Sequence, residues 1–116
     1  MMWGLGRQPR VFLCLGATDM RKSINGLSVL VEHELDSDLA CGDLFVFCSR
    51  SRKIIKVLYW ARNGFCLWQK KLEKNRFRWP THEEEIREID GLALSWLLEG
   101  LDINQAHEKL LNPTSV

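Results

Sequence analysis

Between residues 50 and 80 the chain carries ten Lys or Arg (Arg50, Arg52, Lys53, Lys56, Arg62, Lys70, Lys71, Lys74, Arg76 and Arg78) against a single acid, Glu73. Three tryptophans, Trp60, Trp68 and Trp79, are interleaved with them. Clustered positive charge attracts polyanions, and aromatic rings offer stacking surfaces to flat bases, so this combination suits nucleic acid better than a plain core. The near-neutral net charge of +1 conceals the cluster, because residues 1–49, 50–80 and 81–116 carry −2, +9 and −6 respectively. The competing reading is that the acidic last third neutralises the basic middle third within the fold, where exposed charges contribute little individually.

A second candidate is the turn Gly16-Ala17-Thr18-Asp19-Met20-Arg21-Lys22. It reads as the end of a strand followed by a helix start. Two cations in the first turn of a helix oppose its macrodipole. A bound phosphate, held by free backbone N–H groups together with Arg21 and Lys22, resolves that conflict. Otherwise Asp19 pairs locally with Arg21 and simply caps the helix.

Catalysis finds little footing. His33, His82 and His107 are scattered, no Gly-rich phosphate loop occurs, and no Cys/His group has metal-ligand spacing. Cys14, Cys41, Cys48 and Cys66 include no Cys-x-x-Cys pair and read as reduced thiols packed among apolar neighbours. Asp19, Asp43 and Asp90 fall near element ends as caps or turn residues, and Glu83 to Glu85 form a solvated run. The expectation is a protein that is not an enzyme and takes neither cofactor nor metal. No apolar run approaches the ~20 residues of a membrane span, and residues 1–10 lack the pattern of a secretory signal, so the expected location is the cytoplasm.

The elements that must position these residues follow from hydrophobic spacing. Residues 10–15 (RVFLCL) read as a strand. Thr18 or Asp19 then caps a helix with Met20, Ile24, Leu27, Val31 and Leu35 on one stripe, weakened by Gly26 unless a neighbour approaches closely there. Residues 44–48 (LFVFC) form a strand buried on both faces, 50–52 a turn, and 53–62 a further strand. Asn63-Gly64 is the strongest short hairpin signal, with 65–73 returning. With Asn63 and Gly64 as the loop, one hairpin face holds Ala61, Cys66, Tyr59, Trp68, Val57, Lys70, Ile55 and Leu72 and, being the more apolar, turns to the core. The other holds Trp60, Phe65, Arg62, Lys56 and Lys71 and is partly exposed. Trp96 reads as core, while Trp60, Phe65, Phe77 and Trp79 are undecided. Residues 85–89 form an edge strand, and Asp90 caps a last helix ending at Gly100. The fold class is α+β: a small antiparallel sheet of about five strands, one helix after the first strand and one near the C-terminus. Residues 1–116 make one domain, with an ordered core of about 10–103 and flexible ends.

The segments GATDMRKSINGL (16–27), LFVFCSRSRKIIKVLYWARNGFCLWQKKLEKNRFRWP (44–80) and LLEGLDI (97–103) resemble the small accessory protein of the insertion-sequence-66 family of bacterial transposable elements, commonly labelled TnpB, the second open reading frame product. The resemblance covers roughly residues 10–103. It implies a role in DNA transposition beside a larger transposase that carries the catalytic acids. The ends, 1–9 and 105–116, depart from the family's pattern.

Two functions compete. In the first, a non-catalytic accessory factor binds DNA at transposon ends through Arg21, Lys22, Arg50, Arg52, Lys53, Lys56, Trp60, Arg62, Lys71, Lys74, Arg76 and Arg78, with Trp60 or Trp79 stacking or wedging at a base step. In the second, the basic sheet face docks an acidic surface of the transposase, or a second copy of the chain, without touching DNA.

Overall fold

The computed structural model describes residues 9–34, 42–80 and 86–101. Within them the order is β1 (Val11–Ala17), α1 (Ile24–Glu34), β2 (Leu44–Cys48), β3 (Ile54–Ala61), β4 (Gly64–Lys71), β5 (Ile86–Ile89) and α2 (Gly91–Leu98). This is the expected α+β arrangement of five strands and two helices. The readings placed on Leu35, on Cys41, on most of the 36–42 loop and on both chain ends fall outside the described residues.

The five strands form one sheet in the order β4-β3-β2-β1-β5. It is mixed. β1 and β2 pair in parallel, Val11 with Leu44 through Cys14 with Phe47, while the other pairs are antiparallel. A parallel pair cannot close with a tight turn, so α1 crosses between its strands and must lie on one face of the sheet. α2 follows β5 and lies on the other.

Both faces are consequently covered. On one, Leu13, Val46, Ile55 and Val57 pack with Leu94 and Leu97 of α2 and with Phe77 and Trp79. On the other, Cys14, Phe45, Phe47 and Leu58 pack with Leu27 and Val31 of α1. Every residue of β2 is buried, as its unbroken apolar run requires of a central strand.

α1 begins at Ile24, later than its stripe suggested. Asp19 is occupied with the turn before the helix, where its Oδ1 accepts the Arg21 N–H at 2.9 Å. The first helical bond instead runs from the Leu27 N–H to the Ser23 carbonyl. The close approach at Gly26 is real: a Cβ there would stand 3.2 Å from the Lys22 Cβ. α2 starts at its expected cap, with Asp90 Oδ1 accepting from the Ala93 N–H at 2.7 Å. Trp96 belongs to neither core cluster and is only half-buried, because Leu94 and Leu97 take the inward positions of that short helix.

The β3–β4 hairpin turns one residue earlier than Asn63-Gly64 suggests. Ala61 pairs with Gly64, so Arg62 and Asn63 form the loop and Arg62 takes the left-handed φ of 60°. This register sets Trp60 against Phe65, Leu58 against Leu67 and Val57 against Trp68. The expected one would have opposed Leu58 to Gln69 and Lys56 to Lys71. Favourable cross-strand pairs of ~0.2–1 kcal/mol each, and relief of a like-charge pair, offset the strain at Arg62. Because each partner shifts by two positions, the residues keep their faces.

Candidate nucleic-acid interface

The parallel pairing of β1 and β2, with β3 antiparallel and β4 returning, brings three chain segments to one end of the sheet. Thr18 donates its N–H to the Cys48 carbonyl at 2.9 Å, joining the exit of β1 to the exit of β2. The Leu72 N–H donates to the Lys53 carbonyl, and the Phe77 N–H to the Arg52 carbonyl at 2.7 Å. The 18–22 turn, the 49–53 turn and the 72–79 segment therefore share this end. Of the residues picked from sequence, Arg21, Lys22, Arg50, Arg52, Lys53, Lys71, Lys74, Arg76 and Arg78 lie there. All are exposed except Arg52 and Lys53, which are half-buried.

Residues 76–79 alternate in direction. Arg76 and Arg78 point outward, while Phe77 and Trp79 are buried in the core. The Trp79 Nε1 donates to the Leu15 carbonyl at 3.0 Å. Trp79 is thus a core anchor with its one polar atom satisfied, and it offers no ring to a base. Its burial fixes the two arginines on the surface.

Ser49 orders the neighbouring turn, a role its sequence position did not suggest. Its buried Oγ accepts from the Ile54 N–H at 3.1 Å and from the Lys53 N–H at 3.3 Å, and meets the Ser51 Oγ at 3.1 Å. A serine leaving a strand just before a cationic turn is the signal that marks it. Arg52 has a φ of 64°. Its guanidinium lies beside the Cys48 thiol, and Nη1 is buried without a hydrogen-bond partner. Burial pushes the Cys48 thiol pKa up, and the Arg52 charge offsets part of that.

Arg21 and Asp19 form the local pair that sequence offered as the alternative to phosphate binding, with Nη2 to Oδ2 at 2.7 Å. The Arg21 hydrogen bonds hold the Asp19 carboxyl at about 2, below its ordinary 3.8, and Asp19 raises the Arg21 pKa in turn. Arg21 remains almost wholly in solvent, its side chain 92% exposed.

Three of the residues picked from sequence lie away from that end. Lys56 is buried, not on an outward face, because α1 covers that side of the sheet. Its ammonium donates to the carbonyls of Met20 at 2.7 Å and Lys22 at 2.9 Å. Trp60 and Arg62 sit at the hairpin, the opposite end of β3. Eight strand residues at ~3.3 Å each separate that hairpin from the 49–53 turn. Trp60 is half-buried, edge-on to Phe65 at 4.9 Å, and its Nε1 donates to the Arg62 carbonyl at 3.1 Å. Lys70, on the α2 face, is also tied inward, donating to the Leu98 carbonyl at 2.8 Å.

Carboxylates collect at the other end. Asp43, before β2, accepts the Arg10 N–H, Glu88 pairs with Arg10, and Asp90 caps α2. Among the described residues, the acids near the basic end are Asp19, already paired, and the exposed Glu73 and Glu99. Also among the described residues, no three His, Cys, Asp or Glu side chains lie close enough to hold a metal ion together. No helix there is long and apolar enough to cross a membrane.

Residues 9–108 match the family described as IS66 Orf2 like protein. The chain belongs to that family. Two relatives in Sinorhizobium fredii (strain NBRC 101917 / NGR234) match this family member along nearly the whole length of both chains. The uncharacterized protein y4hO is 37% identical over 111 residues, 96% of each chain. The uncharacterized protein y4jC is 32% identical over 116 residues, 99% of each. No solved structure matches. The family's role is accessory to transposition. Its matched span includes all three segments that meet at the basic end of the sheet.

Proposed function

We propose that this IS66 Orf2-like protein is a non-catalytic factor that binds the DNA of its element through the basic end of the sheet. The supporting observation is the gathering of nine Lys and Arg from three segments at one end, while Asp43, Glu88 and Asp90 occupy the other. Such a dipolar charge map attracts a polyanion to one end of a nearly neutral chain. The 18–22 and 49–53 turns and the 72–79 segment present side chains to phosphates, and their anchors in the core (Ser49, Phe77 and Trp79) keep that presentation rigid. Phosphate contact positions the protein on a duplex, and the larger transposase supplies the cutting chemistry.

Fluorescence anisotropy with duplex DNA, titrated with salt, tests the proposal. The expected log–log slope is about −0.9 for each phosphate neutralised. The triple variant Arg50→Ala, Arg76→Ala, Arg78→Ala is expected to weaken binding and to flatten that slope by ~2–3. A salt-independent affinity, or a triple variant that binds like the parent, refutes it. Nuclease-resistant capture of purified transposase by these same residues, without DNA binding, reassigns the basic end to protein docking. Labelled element ends incubated with the pure protein and Mg²⁺ are expected to stay intact.

A further inference from the structure

Among the described residues, β4 is an edge strand suited to pairing. It runs eight residues with no proline, and its ladder to β3 is continuous from Ala61–Gly64 to Ile54–Lys71 with no bulge. The opposite edge, β5, is only four residues long. Long edges without bulge, proline or central charge invite another strand.

The outward hydrogen-bonding groups can be assigned. A two-residue loop makes Ala61 and Gly64 a closely bonded pair, and such pairs recur at every second position. The bond from the Leu72 N–H to the Lys53 carbonyl is in the same phase. Even-numbered residues of β4 therefore bond to β3, and Phe65, Leu67, Gln69 and Lys71 turn their N–H and C=O groups away from the sheet. On both faces the edge is apolar and half-buried: Phe65 and Leu67 on the α1 side, Cys66 and Trp68 on the α2 side.

We infer that β4 pairs with β4 of a second copy of this chain, antiparallel, about a two-fold axis perpendicular to the sheet at Leu67. Charge and side-chain matching select this occupant. Leu67 meets Leu67 of the partner subunit, Cys66 meets Trp68 of the partner subunit, and Lys71 meets Asn63 of the partner subunit. A parallel arrangement would set Lys70 and Lys71 beside their own copies, which is destabilising. The antiparallel pair is isologous and closes on itself, extending two five-stranded sheets into one of ten. This inference is independent of the DNA reading, since it uses the edge and not the basic end.

Sedimentation equilibrium on the full chain, at high salt and after nuclease treatment, is expected to give the mass of two chains. Leu67→Pro removes only an outward N–H, and Leu67→Lys sets two like charges face to face at the axis. Both are expected to sediment as one chain with an unchanged circular dichroism spectrum. A one-chain mass for the parent at every concentration overturns the inference, as does a dimer that survives in both folded variants. Amide exchange on the parent needs no variant. The Leu67 and Gln69 amides are expected to be protected in the dimer and to exchange fast on dilution, and fast exchange in a two-chain species overturns the β4 assignment.

Discussion

The ammonium of Lys56, a residue whose spacing suggested a partly exposed face, lies 2.7 Å from the Met20 carbonyl oxygen. The bond crosses from β3 to the turn that leads into α1. With the second bond to Lys22 it ties the position of Arg21 to the sheet. A buried ammonium persists only where such partners replace water. Lys56→Met keeps the aliphatic bulk but leaves both carbonyls without their donor. It is expected to cost ~1–3 kcal/mol in chemical denaturation, with faster amide exchange around 20–24. Parent-like stability would show that the ammonium contributes no net stabilisation.

Asp19 and Arg21 give a titration that can be followed directly. The carboxyl is held at about 2, below the ordinary 3.8, chiefly by the Arg21 hydrogen bonds. A depressed carboxylate contributes its contact fully above the ordinary value and loses it as pH falls through the depressed one. Carboxyl NMR is therefore expected to show a midpoint near 2 for Asp19, and Arg21→Gln to return it toward 3.8. A midpoint already near the ordinary value in the parent would mean that Arg21 stands free for a phosphate.

Trp79 and Trp60 separate a core ring from a surface one. Trp79 is 6% exposed and hydrogen-bonded, so Trp79→Ala is expected to cost ~3–5 kcal/mol in thermal or chemical unfolding. Trp79→Phe, which leaves the Leu15 carbonyl without its donor, is expected to cost ~1–3 kcal/mol. Trp60→Ala loses an edge-on contact with Phe65 worth ~0.5–1.5 kcal/mol and part of its burial, so its cost is smaller. A reversed order would place Trp60 in the core.

Sequence read well wherever one local rule decided the outcome. The unbroken run in β2 meant burial on both faces, Asp90 meant a helix start, and the basic-aromatic alternation at 76–79 meant arginines out with the rings undecided. It read poorly where chain topology decided. Nothing local in 53–62 says that α1 will cover the Lys56 face, because that follows from β1 and β2 pairing in parallel. The charge cluster was legible as a count, but not as a place: the 53–62 strand already set Arg52 and Arg62 at opposite ends, whereas the meeting of the 18–22 turn and the 72–79 segment with the 49–53 turn follows only from the order of the sheet. Ser49 was missed because its value lies in two backbone N–H groups that only the folded turn brings to it.

Arg62 tests both the hairpin and the site. It holds a left-handed φ of 60° in the two-residue loop, a conformation that costs a non-glycine residue ~1 kcal/mol and glycine far less. Its side chain is exposed, and the backbone carbonyl that Trp60 uses survives substitution. Arg62→Gly is therefore expected to leave stability unchanged or to raise it by up to ~1 kcal/mol, with the strain relieved set against the greater freedom of glycine in the unfolded chain. Because Arg62 lies at the end of the sheet away from the 49–53 turn, the same variant is expected to bind duplex DNA with nearly parental affinity and salt slope, whereas the Arg50, Arg76, Arg78 triple variant does not. Equal loss in both would mean that phosphate contact extends along the whole length of β3, and would move the interface from the end of the sheet to its edge.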